Sequence, residues 1–212
     1  DAVQPEGGEM PVVMAPGASG ILMHEAIGHA FEADFNRVGT SVFAGKMGQR
    51  VCRPEVTIVD DGTQAEDVGC LRWDDEGIPG QRTVLVDKGV LNSYMHDRIS
   101  ARHYGVEPTG NGRRERFRHA PQPRMRSTYM MAGESDPEDI IRSVKKGIYA
   151  QVFTNGQVQI GAGDFTFYMK QGYLIEDGHL TQPIRDINVI GNGPRALADI
   201  SMVGNDLLID HS

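Results

Sequence analysis

The stretch His24-Glu25-Ala26-Ile27-Gly28-His29 combines residue types and spacing that could do chemistry. Two imidazoles are borderline-soft nitrogen ligands, and a carboxylate sits directly beside the first. Zinc in a catalytic site takes three protein ligands and keeps one position open to water, whose pKa it lowers to about 7. A carboxylate one residue from a ligand is placed to accept the proton of that water and to pass it to a leaving amine. His24 and His29 are therefore the candidate zinc ligands and Glu25 the candidate general base. With 7 histidines and 29 acidic residues in 212, a chance His-acid-x-x-x-His match is expected only about 0.03 times.

The spacing places a demand on the backbone. Histidines four apart lie about 40° apart around a regular helix, whereas histidines five apart lie about 140° apart. The two rings converge only if the helix takes in an extra residue as a π-bulge or breaks between Ile27 and His29. Gly28 is the residue expected to ease that distortion. For a third ligand, Glu32, Asp34, Cys52 and Cys70 are candidates, with Glu32 and Asp34 better suited to orienting an imidazole than to binding the ion.

The elements that must position these groups follow from hydrophobic spacing. Ile21, Leu22, Ile27, Ala30 and Phe31 recur at near-helical intervals, so the motif is expected on a helix over 17–35 with Ser19 as N-cap. From Val51 to Met95, short runs of Val, Ile and Leu alternate with Gly-rich breaks, the pattern of strands joined by tight turns. Asp87-Lys88-Gly89, Asn155-Gly156 and Asp177-Gly178 are expected to turn hairpins. Ser135-Asp136-Pro137-Glu138 reads as a capping box that opens a helix running to Lys146. Three hairpins imply antiparallel pairing. The expected class is α+β, mainly antiparallel sheet with a few short helices.

Composition narrows the function. Hydrophobic residues make up 39% and charged residues 24%, enough to bury a core over this length. The net charge of −8 opposes a general attraction to nucleic acid or anionic lipid. Two cysteines 18 residues apart suit reduced thiols rather than a disulfide framework. No apolar run is long enough to span a membrane and no signal sequence opens the chain, so a cytoplasmic location is expected.

These residues resemble the TldD/PmbA family, also called the modulator of DNA gyrase family, and its TldD branch most closely. The resemblance rests on the histidine motif, on Asp34-Phe35-Asn36-Arg37 with Gly39-Thr40-Ser41-Val42-Phe43, and on Asp74-Asp75-Glu76-Gly77 with Pro79-Gly80-Gln81. It continues through Thr109-Gly110-Asn111-Gly112-Arg113-Arg114, Pro123-Arg124-Met125 and Ile200-Ser201-Met202-Val203-Gly204-Asn205-Asp206. It implies a zinc metallopeptidase that hydrolyses peptide bonds in unfolded or short peptides. It also implies a partner subunit of the PmbA (TldE) type, or a homodimer. The alternative is a non-catalytic module acting on gyrase or DNA. By the resemblance, the third ligand is a cysteine shortly after the stretch corresponding to Asp206–Asp210. The chain stops at Ser212, so the expectation is a C-terminal catalytic domain, 1–212, ending before its last ligand and without the family's N-terminal domain.

Six arginines crowd one Gly/Pro-rich stretch: Arg113, Arg114, Arg116, Arg118, Arg124 and Arg126. Of these, Arg113 and Arg114 are the candidates to hold a substrate carboxylate. Tyr94, His96 and His103 are candidates to stabilise a developing oxyanion. Met125, Met130 and Met131 read as adaptable core filler.

Overall fold

Lys88 and Gly89 both take positive φ, 44° and 81°, the backbone of a two-residue type I′ turn. They fold β3 (Arg82–Asp87) onto β4 (Val90–Leu91), pairing Val86 with Leu91. Asp177 and Gly178 repeat the device at 47° and 79° between β9 (Asp164–Glu176) and β10 (His179–Ile184). The computed structural model describes residues 2–65, 67, 69–159 and 161–209.

In chain order the remaining elements begin with β1 (Val12–Met14), a π-helical turn (Leu22–Ile27), a 3-10 turn (Gly28–Phe31) and α1 (Ala33–Arg37). Then come β2 (Ile58–Asp61), α2 (Arg98–Tyr104), β5 (Gly112–Arg113), β6 (Gln122–Pro123), β7 (Thr128–Met130) and α3 (Pro137–Arg142). Between α3 and β9 lies β8 (Lys146–Val158), and β11 (Ile187–Asn192) and α4 (Gly193–Asp199) follow β10. One sheet runs β1-β8-β9-β10, with β11 also on β9. A second runs β4-β3-β2-β7, and β5 pairs with β6 alone. Every strand pair is antiparallel except β1 with β8. The class is α+β, as expected, and no helix among the described residues is long and apolar enough to cross a membrane.

Three local expectations are corrected. Asn155-Gly156 is not a turn: both residues lie inside β8, paired with Tyr168 and Phe167 of β9. Glycine is required there by space, since a β-carbon on Gly156 would stand 2.2 Å from the Phe167 ring. At α3 the N-cap is Asp136 rather than Ser135. Its carboxylate accepts from the Glu138 amide at 2.8 Å with Pro137 in the first turn, while Ser135 bridges to Gly204 instead. The helix carrying the histidines has no side-chain cap either; Ser19 contributes only its carbonyl, to Leu22 and Met23. A capping box does exist on α2, where Asp97 and Ser100 satisfy each other's amides.

Alternation on β9 sends Phe165, Phe167 and Met169 inward. The main core joins Phe165 and Phe167 with Ile58, Leu85, Val86 and Leu91 of the second sheet and with Leu22, Met23, Ala26, Ile27 and Phe31. The π-helical turn thus sits between the two sheets, touching β7, β8, β9 and α4. Its apolar residues Leu22, Met23, Ala26 and Ile27 are buried, whereas His24 is exposed and Glu25 half-buried.

Candidate metal centre

The winding between the histidines is irregular in the way their spacing demands. Residues 22–27 close i→i+5 turns, and Gly28 donates back to the Met23 carbonyl as well as to that of His24. An i→i+5 turn takes in the extra residue and returns His29 to the bearing of His24. The departure from helical dihedrals falls on Ile27, at φ −124° and ψ −47°, whereas Gly28 has ordinary helical values of −60° and −49°. Gly28 is therefore needed for space and not for conformational freedom: Met125 and the Met23 carbonyl close off the position where its β-carbon would stand.

As a result the two imidazoles meet edge to face, with ring centroids 5.2 Å apart and planes at 87°. His24, Glu25 and His29 each offer a ligand atom, and these atoms lie within 4.8 Å of one another. A borderline ion fits two imidazole nitrogens converging with a carboxylate beside them. Among the described residues no other His, Cys, Asp or Glu group could hold an ion in this way. Cys52 is buried, and burial pushes its thiol up to about 11; neither it nor Cys70 joins the cluster. Asp210–Ser212, beyond which a further cysteine was expected, lie outside the described residues.

Behind His29 stands an ordered set of partners. Glu32 Oε1 is 3.1 Å from His29 Nδ1, and Arg124 Nη1 donates to Glu32 Oε2 at 3.2 Å and to Asp34 Oδ2 at 3.1 Å. The helix breaks at Glu32, whose extended backbone forms a parallel bridge with Met95 and turns its side chain back under the ring. The hydrogen bond that Glu32 accepts from the ring lifts the His29 pKa above the ordinary imidazole value. Burial, followed by the nearby His29, holds His24 below it. Burial also raises Glu32 above the usual carboxylate range, against the pull of His29 and Arg124. Glu32 and Asp34 thus lie outside the cluster of converging ligand atoms, Glu32 against the His29 ring and Asp34 against Arg124.

Other candidates lie elsewhere. Arg113 and Arg114 are exposed on and beside β5. Arg114 hydrogen-bonds Asp75 through its amide and the His119 carbonyl through its guanidinium, so the arginine brought to the histidines is Arg124. Tyr94 spends its hydroxyl on the Phe43 carbonyl at 2.7 Å in the core. His96 is buried against Tyr94, Tyr104 and Ser100, and His103 is exposed on α2. Met125 fills core space, as expected of it.

An apolar groove of about 1360 Å³ adjoins the π-helical turn. Leu22 and Met23 of the turn, Val12–Met14 of β1 and Tyr129 and Met130 of β7 are among the residues that line it. Both strands are sheet edges: among the described residues β1 pairs only with β8, and β7 only with β2.

Comparison with known proteins gives the family. Residues 7–212 match the PmbA/TldA metallopeptidase C-terminal domain. The chain belongs to this family. A metalloprotease TldD homolog of Haemophilus influenzae is 49% identical over 209 residues, covering 99% of this chain and 43% of the relative. A zinc metalloprotease TldD homolog of Saccharolobus solfataricus is 32% identical over 204 residues, covering 95% and 45%. Among solved structures, TldE from Thermococcus kodakarensis superimposes with a TM-score of 0.83 at 26% identity, over 97% of this chain and 47% of that one. A Thermotoga maritima protein, described as a candidate modulator of a DNA gyrase, reaches 0.87 at 28% identity over 99% and 48%. The chain spans less than half the length of these PmbA/TldA-family relatives.

Proposed function

We propose that this chain carries the metal-holding, catalytic part of a zinc-dependent peptidase, with His24 and His29 as ligands and Glu25 as general base. The observation that carries the reading is the convergence of the three side chains on one point across an i→i+5 turn. Zinc bound there would polarise a peptide carbonyl and make water acidic near neutral pH. Glu25, half-buried at the solvent edge of the turn, takes the proton from the attacking water and returns it to the leaving amine. The remaining ligand, by family resemblance, is a cysteine supplied beyond Ser212.

The substrate reading is an unfolded or short peptide, in peptide maturation or degradation. The groove supports it, because two unpaired sheet edges beside the motif can receive an extended chain as an added strand, reading mostly main-chain atoms. The setting is the cytoplasm, with a TldE-like partner or a second copy. A nucleic-acid role is disfavoured by the charge of −8 and by the internal engagement of Arg114, Arg124 and Arg126.

The test joins metal analysis of the full-length protein to a peptide-cleavage assay. Wild type is expected to hold zinc in a 1:1 ratio, and Glu25→Gln to keep the zinc but lose cleavage by 100-fold or more, roughly the scale of general-base catalysis. Full cleavage by Glu25→Gln, or zinc retained by a His24→Ala/His29→Ala double variant, would overturn the reading.

A further inference from the structure

Arg124 makes several directed contacts beside the metal motif. Its Nη1 meets Glu32 Oε2, Asp34 Oδ2 and, at 2.6 Å, the Pro123 carbonyl. Its Nη2 donates to Gln122 Oε1 at 2.5 Å, and the guanidinium carbon stands 5.7 Å from the centroid of the Phe35 ring. A planar fork held at both nitrogens and on one face has little rotational freedom left.

The backbone beneath it is equally constrained. Arg124 donates its amide to the Asn111 carbonyl at 2.9 Å and accepts from Asn111 Nδ2 at 2.9 Å. The same Nδ2 donates at 2.6 Å to Asp60, which is only 1% exposed on β2. Thr128 and the Arg126 amide hold the other oxygen of Asp60. A continuous series of hydrogen bonds therefore runs from the buried end of β2 through Asn111 and Arg124 to Glu32 and on to His29 Nδ1.

We infer that Arg124 is a positioning residue of the metal centre: it fixes the Glu32 carboxylate so that Glu32 holds the His29 ring by Nδ1 and leaves Nε2 free for the ion. The inference rests on the reading of His24 and His29 as ligands. Partners that orient a metal-binding histidine typically change metal affinity by about 10- to 100-fold when removed. A simple structural tie between the β5–β6 ribbon and α1 would change folding stability without changing the affinity of the folded protein.

The experiment is zinc competition titration of the folded full-length protein, with the spectrum of its cobalt-substituted form as a second readout. Arg124→Ala and Glu32→Gln are each expected to weaken zinc binding by about 10- to 100-fold. The double variant should be no weaker than the worse single one, because both break the same series. Arg124→Lys keeps the charge but not the fork, and should recover part of the loss and shift the cobalt spectrum back toward wild type. Wild-type zinc affinity in a folded Arg124→Ala, or in a folded Arg124→Lys if the alanine variant does not fold, overturns the inference while leaving the metal reading intact. Additive losses in the double variant also overturn it. Failure of the metal reading looks different: wild type itself binds no zinc, and both proposals fall.

Discussion

Gly28 and Met125 meet through the space that a β-carbon would occupy. Built on Gly28, that atom would stand 2.3 Å from Met125 Sδ and 2.5 Å from the Met23 carbonyl oxygen. One obstacle is a flexible side chain and the other is backbone, so relief can only be partial. Gly28→Ala is therefore expected to cost about 1–3 kcal/mol, the scale of an overpacked core, and to weaken zinc binding. Combining it with Met125→Ala should recover less than half of the lost affinity, measured by competition titration. Complete recovery would mean that the backbone contact has no influence on the turn.

Asp60 and Asn111 offer a prediction about stability. Asn111 Nδ2 is shared between Asp60 Oδ2 and the Arg124 carbonyl, and both Asn111 and Asp60 are 1% exposed. Asn111→Ala leaves two buried acceptors without that donor, a loss of about 2–4 kcal/mol. Urea unfolding measures it, and a change below about 0.5 kcal/mol would show that water replaces the amide without cost.

His96 predicts a pH dependence. Burial drives its pKa down to about 4 from 6.5, only weakly opposed by neighbouring Asp97. The groups packed against it are Tyr94, Tyr104 and Ser100, none of which carries charge near neutrality. Between pH 6.5 and 4 the unfolded chain takes up a proton that the folded chain refuses. The contribution of His96 to stability is therefore complete above 6.5 and is lost as pH falls toward 4. Across that window wild type should lose on the order of 2 kcal/mol more than His96→Gln. Parallel stability curves for the two proteins would contradict this.

Lys88 holds φ at 44° in the β3–β4 turn, a conformation that costs a residue with a β-carbon roughly 1 kcal/mol. Lys88→Gly keeps the amide that donates to Thr57 and removes that strain. The expected outcome is a gain of about 0.5 kcal/mol after the greater chain entropy of glycine is subtracted, seen as a small rise in Tm. A fall in Tm would place the lysine stem among the stabilising contacts.

How much of this was readable in the residues differs from place to place. The turns at Lys88-Gly89 and Asp177-Gly178 were legible because positive φ is a local demand that local residue types announce. Asn155-Gly156 carries the same signature and means something else, because what selects Gly156 is the ring of Phe167 on the neighbouring strand. The irregular winding between His24 and His29 followed from arithmetic on five positions. The need for glycine at position 28 did not, since Met125, which fills the space of its missing β-carbon, lies far along the chain. The sequence nominated six arginines and singled out Arg113 and Arg114, whereas the one brought beside the histidines is Arg124. Arg124 and Glu32 are 92 residues apart, and they meet only in the folded chain, where β6 packs against α1. Ser135 and Asp136 show the finest limit: both are good caps, and the bridge from Ser135 to Gly204 decides between them.

The π-helical turn ties the metal motif to distant parts of the chain. Such turns are rare because regular winding is favoured when nothing else intervenes. Here the turn is enclosed by Met125 against Gly28 and by Gly193, whose α-carbon approaches so near the Ala26 carbonyl that a β-carbon would lie 2.1 Å from it. Both neighbours lie far along the chain from the histidines, so the aim of the two donors depends on the assembled fold and not on the motif segment alone.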